Sequence, residues 1–272
     1  MKQDLSNATF IIPIRIESSD RLRNVITSVC YLNSMFNTTI MIHEMDGTPR
    51  FRDEALPQIK EFCDGDIDQI KYEWENNDNP HFHRQRILND MLMRSKTKVV
   101  INYDCDILLP IKSYLFAYKM IMDDKAHVVY PYGDGNYQRQ VFATDTLVSR
   151  FLNENFDLSV FGEKSRPFMA KYGFVQFFNR GVYIEGGMEN ENFVAYAPED
   201  AERYHRFKSF GYNVQRINNL VYHLEHSRTI NSSLSNPFMA NNNGEWEKAR
   251  HMSPDEYKKY LYEQSYYKRR VG

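Results

Sequence analysis

Short apolar runs alternate with amphipathic stretches from the start of the chain. Residues 9–16 (TFIIPIRI) are apolar and partly β-branched, which predicts a buried strand. Residues 21–35 follow good N-cap residues, Ser18 to Asp20, and carry one apolar face, which predicts a helix. Residues 38–43 (TTIMIH) predict a second buried strand. This strand–helix–strand opening is typical of a parallel sheet with right-handed crossovers.

The alternation continues as far as residue 130 and returns after residue 175. Helices are predicted at about 59–63, 82–94, 111–122 and 198–210, and a last one opens at the capping box that begins with Ser253. Strands are predicted at about 70–74, 98–103, 127–130, 175–185, 213–217 and 220–223. Residues 131–170 have weak periodicity and predict no ordered series of elements. The chain has no repeat, low-complexity tract or flexible linker, and its 272 residues fit one large α/β domain or two small ones.

Composition narrows the classes of function. Of the 272 residues, 42% are apolar and 14% are aromatic, which excludes a disordered chain. The aromatic residues either stack on sugar rings or bases, or they fill the core. A net charge of −2 supplies no global field that would attract nucleic acid, so no nucleic-acid partner is predicted.

The cysteines and the lengths of the apolar runs indicate the cellular compartment in which the protein is expected. Cys30, Cys63 and Cys105 form no CxxC pair and their number is odd, so neither a disulfide framework nor a structural zinc site is expected. No apolar window has the length of a signal peptide or of a transmembrane helix. We therefore expect a cytoplasmic protein of a bacterial kind.

Two acids stand directly after a predicted strand. Asp104 and Asp106 follow residues 98–103, and ligands of open α/β sheets bind beyond the carboxyl ends of strands. Carboxylates at positions i and i+2 of a turn can converge on one hard cation, which in turn holds a diphosphate. Asp-x-Asp is also common in solvated turns, so both interpretations stay open.

Two histidines, His223 and His226, stand at the end of another short predicted strand. Their spacing permits joint metal ligation if the backbone turns between them. Imidazole together with carboxylate suits Mn²⁺ or a similar divalent ion. The alternative is a pair of histidines at the surface or at the edge of the core.

Two further acids, Glu199 and Asp200, open a predicted helix. Acids in a first turn interact favourably with the helix dipole, and that alone can explain them. One of them could instead be a general base that takes the proton from an acceptor hydroxyl. The aromatic stretch that ends at Tyr196, with Gly186 and Gly187 upstream, favours the second interpretation, because aromatic residues beside a carboxylate suit a sugar ring.

Two arginines complete the candidate set. Arg15 stands near the end of the first predicted strand, and Arg84 stands at the start of a predicted helix. Arginine is the preferred partner of phosphate oxygens, by charge and by fork geometry. Either arginine could instead be a surface residue or an ion-pair partner of Glu17 or Asp90.

Six segments occur in an order shared with a known family. They are IIPIR, FHRQRILN, YDCDILLP, FFNRGVYIEGG, APEDAERYHRFKSFGY and HLEHSR. Through them the chain resembles the β-1,4-galactosyltransferase family and its bacterial relatives, the galactosyltransferase and N-acetylgalactosaminyltransferase domains of polysaccharide-building enzymes. The resemblance implies an inverting enzyme of the GT-A fold, with a Rossmann-like mixed sheet flanked by helices in a single domain. It also implies a nucleotide-binding half at about 1–110, an acceptor and catalytic half at about 111–230, and a helical tail at 231–272.

The resemblance assigns roles to single residues and implies Mn²⁺, or another divalent cation, as cofactor. The residues that match donor-binding positions are Pro13, Arg15, Phe82, Arg84 and Asp104. Those that match manganese ligands are Asp106, His226 and, three residues earlier, His223. Those that match the acids of the family's WGGED segment, which bind the donor and acceptor sugars, are Glu199 and Asp200. The second of these, Asp200, is similar to the catalytic base.

The acceptor-binding segment departs from the family. Its WGGED is replaced by residues 196–200 (YAPED), so Tyr196 stands in place of tryptophan and both glycines are lost. Tyr196, Gly186 and Gly187 are nevertheless expected to contact the acceptor. The vertebrate members of the family are anchored in Golgi membranes, and the lack of such an anchor here implies a bacterial enzyme that acts on cytoplasmic or membrane-associated glycan intermediates.

The expected reaction transfers galactose or N-acetylgalactosamine from a UDP-sugar to a hydroxyl of a glycan or lipid-linked glycan. A nucleotidyltransferase is disfavoured, because residues 11–21 contain none of the glycines that such enzymes carry after their first strand. A lectin-like module or nucleotide-sugar-binding pseudoenzyme is the non-enzymatic alternative. The Tyr- and Lys-rich end, residues 258–270, is expected to contact the inner face of an anionic membrane or an acidic glycan, or else to form a solvated terminal helix.

Overall fold

Two β-sheets form the framework of the protein, whose residues 1–272 are all described by the computed structural model. The strands are β1 (Gln3–Ile14), β2 (Phe36–Asp46), β3 (Ile70–Asn76), β4 (Val99–Tyr103), β5 (Ile107–Leu108), β6 (Val128–Tyr130), β7 (Gln138–Val141), β8 (Ser165–Pro167), β9 (Val175–Asn179), β10 (Val214–Arg216) and β11 (Val221–Leu224). Seven of them form a large sheet in the order β10-β6-β9-β4-β1-β2-β3. The other four form a small sheet in the order β5-β11-β7-β8.

Ten α-helices flank the sheets. They are α1 (Ser19–Met35), α2 (Leu56–Phe62), α3 (Arg84–Arg94), α4 (Ile111–Met122), α5 (Asp145–Asn153), α6 (Arg180–Glu185), α7 (Glu199–Ser209), α8 (Met239–His251), α9 (Pro254–Glu263) and α10 (Ser265–Val271). Helices α1, α3 and α4 pack directly on strands of the large sheet. The predicted mixed sheet flanked by helices is therefore present.

The large sheet is parallel over its first half and mixed beyond it. Strand β1 pairs in parallel with both β2 and β4, and β2 pairs in parallel with β3. This confirms the parallel opening predicted from the strand–helix–strand pattern. Strand β9 runs antiparallel between β4 and β6, which makes the sheet mixed.

The aromatic residues fill much of the core. Phe10 meets Tyr103 edge to face at 5.5 Å between ring centroids, and the hydroxyls of Tyr103 and Tyr114 are 2.8 Å apart. The buried Tyr31 donates its hydroxyl to the carbonyl of Leu109 at 2.8 Å. Buried tyrosines are tolerated because their hydroxyls are hydrogen-bonded. The aromatic excess is thus largely explained by packing, with only a few rings left for the site.

One predicted strand is wrong in its second half. Residues 175–185 were expected to be extended throughout, but β9 ends at Asn179 and α6 follows at once. The side chain of Asn179 accepts a hydrogen bond from the backbone N–H of Val182 at 3.2 Å, so it caps the first turn of α6. A capping residue within an apolar run therefore outweighed the apolar pattern.

Regular elements occur in two parts of the chain where the sequence analysis predicted none. Residues 131–170 contain β7, α5 and β8, and helix α8 lies within the stretch before Ser253. The capping box at Ser253 is present, with its hydroxyl accepting from the backbone of Glu256 and the Glu256 carboxylate accepting from the backbone of Ser253. It opens α9 as predicted.

The C-terminal helices are docked on the rest of the protein. Tyr257 and Leu261 of α9 are buried, as are Tyr266 and Tyr267 of α10. Arg270 contacts Asp90 of α3 at 2.6 Å. No helix has both the length and the apolar character needed to cross a bilayer.

Candidate active site

A cavity of about 520 Å³ opens beyond the carboxyl ends of β1 and β4. This is the position at which open α/β sheets bind ligands. The predicted site residues that line it are Pro13, Arg15, Phe82, Arg84, Asp104, Asp106, Tyr196, Glu199, Asp200, His223 and His226. The cavity thus gathers residues from the first strand, the middle of the chain and its last third.

The small sheet brings Asp106 and the two histidines together. Strand β11 pairs with β5, so that His223 lies opposite Ile107, and the backbone N–H of Leu224 donates to the carbonyl of Asp106 at 2.8 Å. Oδ2 of Asp106 is 3.1 Å from Nε2 of His226 and 3.6 Å from Nε2 of His223. The ligand atoms of the three side chains all lie within 4.8 Å of one another.

This geometry fits a shared cation. Two ligands at right angles on a cation with bonds of about 2.1 Å lie about 3 Å apart, which is close to the Asp106–His226 separation of 3.1 Å. Nδ1 of His226 is 2.8 Å from the carbonyl of Ser227, a contact in which Nδ1 carries the hydrogen. Nε2 then turns its lone pair toward the Asp106 carboxylate, which is repulsive unless a proton or metal ion lies between them. Burial opposes ionisation of Asp106, but the two imidazoles outweigh it and hold its pKa well below the ordinary value.

Asp104 has a different partner from Asp106. Nη2 of Arg84 donates to Oδ1 of Asp104 at 2.5 Å and to Oδ1 of Asn102 at 3.0 Å. Burial raises the pKa of Asp104 in spite of the Arg84 charge. Arg84 is therefore an ion-pair partner of Asp104 rather than of Asp90, while it still lines the cavity.

Arg15 directly follows the last residue of β1. Its Nη1 donates to the carbonyl of Asn79 at 2.6 Å, and its Nη2 is 3.8 Å from Oδ1 of Asp46. Neither contact is the predicted alternative with Glu17. Both Arg15 and Phe82 keep part of their side chains in the cavity wall.

The acids that open α7 have unequal surroundings. Glu199 is buried, and its Oε2 has no hydrogen-bond partner. Burial, reinforced by the charge of Asp200, raises the pKa of Glu199 to about 8. Asp200 instead accepts a hydrogen bond on Oδ1 from Nη1 of Arg203 at 2.7 Å. Helix-dipole compensation, the simpler explanation, does not account for the burial of a carboxyl oxygen that has no hydrogen-bond partner.

The loop before α7 is held by hydrogen bonds from α8, a helix that the sequence analysis did not predict, and from the segment that precedes it. Asn242 of α8 donates to the carbonyls of Val194 and Ala197, at 2.8 and 3.0 Å. Asn236 donates to the carbonyl of Tyr196 at 3.0 Å. The Tyr196 ring is left partly exposed at the cavity wall.

Gly186 and Gly187 do not line the cavity. They end α6 and pack against the far side of α7, where a Cβ on Gly186 would lie 2.5 Å from the Phe207 ring and one on Gly187 would lie 2.8 Å from Leu261. The expected contact of these glycines with an acceptor is therefore not supported. Their small size serves close packing of α6 against α7 and α9.

Several cavity residues escaped the sequence analysis. They include Arg21, Arg228, Phe168, Met169 and Phe174. Arg228 lies in the segment HLEHSR, so its position beside His226 was an available signal. The other four residues carried no such signal in the sequence. The loop 168–174 follows the stretch without periodicity, and Arg21 lies on an ordinary amphipathic helix.

The mixed sheet and the acids placed directly after β4 define a protein of the GT-A fold. One solved structure with this fold is GalNAc-T7 with UDP, GalNAc and Mn²⁺ (TM-score 0.57, 12% identity), which matches over 94% of this chain and 50% of that chain. A second is the mannosyltransferase PcManGT from Pyrobaculum calidifontis in complex with GDP-Man and Mn²⁺ (TM-score 0.55, 13% identity), over 96% of this chain and 69% of that chain. The chain thus spans about half the length of the GalNAc-T7 chain.

At this level of identity the two structures establish the fold of the chain, and they confirm the predicted GT-A class. They do not distinguish the β-1,4-galactosyltransferase family from other families with the same fold. No protein-family model matches the chain. No curated protein matches its sequence either.

Proposed function

We propose that the protein is a metal-dependent glycosyltransferase that moves a sugar from a nucleoside diphosphate to a hydroxyl of a glycan. The observation that carries this proposal is one cavity in which Asp106, His223 and His226 form a cation site and Asp200 supplies a carboxylate. The two solved structures with the same fold contain Mn²⁺ with UDP or GDP-Man, which supports the same ligand class here.

In the proposed reaction Asp200 is the general base. Its Oδ1 is held by Arg203, and its Oδ2 points toward Gly173, where a Cβ would lie only 3.0 Å away. Oδ2 accepts the proton of the acceptor hydroxyl while the hydroxyl oxygen bonds to the anomeric carbon. The bond from that carbon to the diphosphate breaks in the same step, so the sugar configuration inverts. Glu199 has a pKa of about 8 and therefore keeps its proton at neutral pH. In the proposed reaction it donates a hydrogen bond to a sugar hydroxyl.

The departing diphosphate needs positive charge. Asp106, His223 and His226 would hold a divalent cation, which supplies Lewis-acid stabilisation of the leaving group when bound. Arg15 and Arg84 add fixed positive charge at the cavity wall.

For the donor we propose UDP-galactose or UDP-N-acetylgalactosamine. Pro13 and Arg15 match positions that hold uridine diphosphate in the family that the chain resembles, and Phe82 matches a segment that touches the nucleotide. All three line the cavity. For the acceptor we propose a glycan or lipid-linked glycan on the cytoplasmic side of a bacterial membrane. Lys259, Lys268 and Arg269, the exposed cations of the C-terminal helices, are the residues that would contact an anionic bilayer.

The test is a panel of nucleotide sugars (UDP-galactose, UDP-N-acetylgalactosamine, UDP-glucose and GDP-mannose), each incubated with and without Mn²⁺. We expect manganese-dependent release of UDP from a galactosyl donor, reduced at least about a hundredfold in Asp106→Asn, because a cation ligand is lost. Asp145→Asn, at an acid that is 94% exposed on α5, is the matched control and should retain full activity. Release that is independent of metal, or unaffected by Asp106→Asn, would overturn the proposal.

A further inference from the structure

A buried arginine, Arg203, bridges two acids. Its Nε and Nη2 donate to the two carboxylate oxygens of Glu189, at 2.6 and 2.7 Å, and its Nη1 donates to Oδ1 of Asp200 at 2.7 Å. The side chains of Arg203 and Glu189 are each only 1% exposed. Nη1 also lies 3.3 Å from Oε1 of Gln176. The guanidinium is therefore fixed on one edge by Glu189 and directs Nη1 at Asp200.

Glu189 is itself held rigidly. The hydroxyl of Tyr183 donates to its carboxylate, and its backbone N–H donates to Oδ1 of Asn89 on α3 at 2.8 Å. Burial opposes its ionisation, but Arg203 outweighs burial and lowers the pKa of Glu189 to about 2. Because the Glu189 carboxylate is fixed, it fixes the orientation of the Arg203 guanidinium, which in turn holds the Asp200 carboxylate.

Glu199 has no comparable support. No cation donates to its carboxyl group, and its Oε2 is buried without a partner. A buried carboxyl that no cation contacts directly favours its neutral form. The two adjacent acids of α7 therefore differ in one respect that matters for proton transfer, which is contact with the Arg203 guanidinium.

We infer that Arg203 is a positioning residue that fixes the orientation of the Asp200 carboxylate, a support that the adjacent Glu199 lacks. By holding Oδ1 of Asp200, it also aims Oδ2 at the space where an acceptor hydroxyl would bind. This inference rests on the proposed function and extends it, since it explains how the proposed base is held.

Other charged or titratable groups face Asp200 from several elements. They are Glu199 and Arg203 on α7, Arg84 on α3, Asp104 after β4, Tyr130 and Tyr132 in and after β6, and Tyr196 in the loop before α7. Among these, Arg203 is the cation with a direct hydrogen bond to the Asp200 carboxylate. The test must therefore change Arg203 while leaving the remaining groups in place.

The test variant is the double substitution Arg203→Gln with Glu189→Gln. It removes the cation from Asp200 without leaving Glu189 as an unpaired buried charge, which would itself unfold the protein. The matched control is Arg206→Gln with Glu202→Gln, one turn further along α7. That pair is equally buried, with 2.6 Å between Nε of Arg206 and Oε1 of Glu202, and Arg206 donates to Glu202 and to the Gly186 carbonyl rather than to Asp200.

The first measurement is a crystal structure of wild type and of the two double variants, each as the full-length protein. We expect the Asp200 carboxylate to keep one orientation in wild type and in the Arg206 control, because Arg203 holds its Oδ1 in both. In the Arg203 variant the carboxylate should be displaced or occupy more than one rotamer. An Asp200 side chain with the same single orientation in all three proteins, or one displaced equally in both double variants, would contradict the inference.

The second measurement is kcat and KM for sugar transfer. We expect kcat to fall at least about tenfold in the Arg203 variant, with the KM of the nucleotide sugar unchanged, because a base without its support is held less often in the reactive orientation. The Arg206 control should keep both values. If wild type turns over no donor, the proposed function fails, while the crystal structures still decide the role of Arg203. A displaced Asp200 carboxylate with an unchanged kcat would show that Asp200 is not the base, which contradicts the proposed function and leaves the positioning role of Arg203 in place.

Discussion

Glu199 and Asp200 carry the same chemical group at neighbouring positions, yet their surroundings give them different chemistry. Burial and the neighbouring charge raise the pKa of Glu199 to about 8, whereas the Arg203 guanidinium contacts Asp200. Glu199 thus holds its proton to a higher pH than an ordinary carboxyl group, while Asp200 accepts a hydrogen bond from a cation. A pair of acids with opposite roles is a common feature of sites that transfer protons.

Protonation of Glu199 makes the stability of the protein depend on pH. The unfolded chain releases this proton near the ordinary pKa of 4.5, and the folded protein releases it near 8. Between these values the folded state holds more protons, so its free energy of unfolding falls as the pH rises from about 5 to about 8. Glu199→Gln removes this contribution, and we expect the variant to gain stability relative to wild type over that window.

The measurement is urea unfolding of wild type and Glu199→Gln at pH 5, 7 and 9. The difference between the two proteins should change in favour of the variant with rising pH, because every other titrating group is common to both. Glu163→Gln, at an exposed glutamate, is the control, and its difference from wild type should stay nearly constant. A constant difference for Glu199→Gln as well would mean that Glu199 is ionised in the folded protein.

At the scale of elements, α7 serves the cavity with its first turn and the core with the turns that follow. Its acids lie at the cavity wall, while Arg203, Arg206 and Phe207 are buried. The loop that leads into it is held by Asn242 of α8. Helix α8 therefore belongs to the support of the site, although its sequence, with Asn and Gly in its first half, gave no amphipathic signal.

Helix α6 supplies a direct test of an element boundary. Because the Asn179 side chain caps its first turn, Asn179→Ala should lower the free energy of unfolding by about 1 kcal/mol. Asn179→Ser keeps a capping oxygen and should cost much less. Chemical denaturation of the two variants checks the prediction, and equal stabilities would show that the helix starts here for another reason.

At the scale of the whole molecule, the sequence predicted what depends on local pattern. Strands β1, β2 and β4, helix α4 and the capping box of α9 follow from periodicity and capping residues. The resemblance to a family with the same order of motifs then selected eleven of the residues that line the cavity, including Asp106 and His226, which lie far apart in the sequence.

The remainder depends on contacts that no local pattern encodes. Strand β7 is short and carries buried glutamines, so it lacks an apolar signature. Gln138 nevertheless shapes the cavity, because its side chain accepts from the backbone N–H groups of Ala170 and Lys171, at 2.9 and 3.1 Å. The link from Arg203 to Glu189 likewise crosses from α7 to the loop after α6. Such polar partners become visible only when the elements are packed.

The central claim is that Asp106 and the two distant histidines bind one divalent cation that couples to a nucleoside diphosphate. The most direct measurement is electron paramagnetic resonance of free Mn²⁺ during titration into the protein, with and without UDP. We predict that wild type removes one equivalent of the free Mn²⁺ signal and binds it more tightly with UDP present. His226→Ala should weaken this binding by at least about tenfold. Binding that is equal in wild type and His226→Ala, or that is unaffected by UDP, would contradict the account.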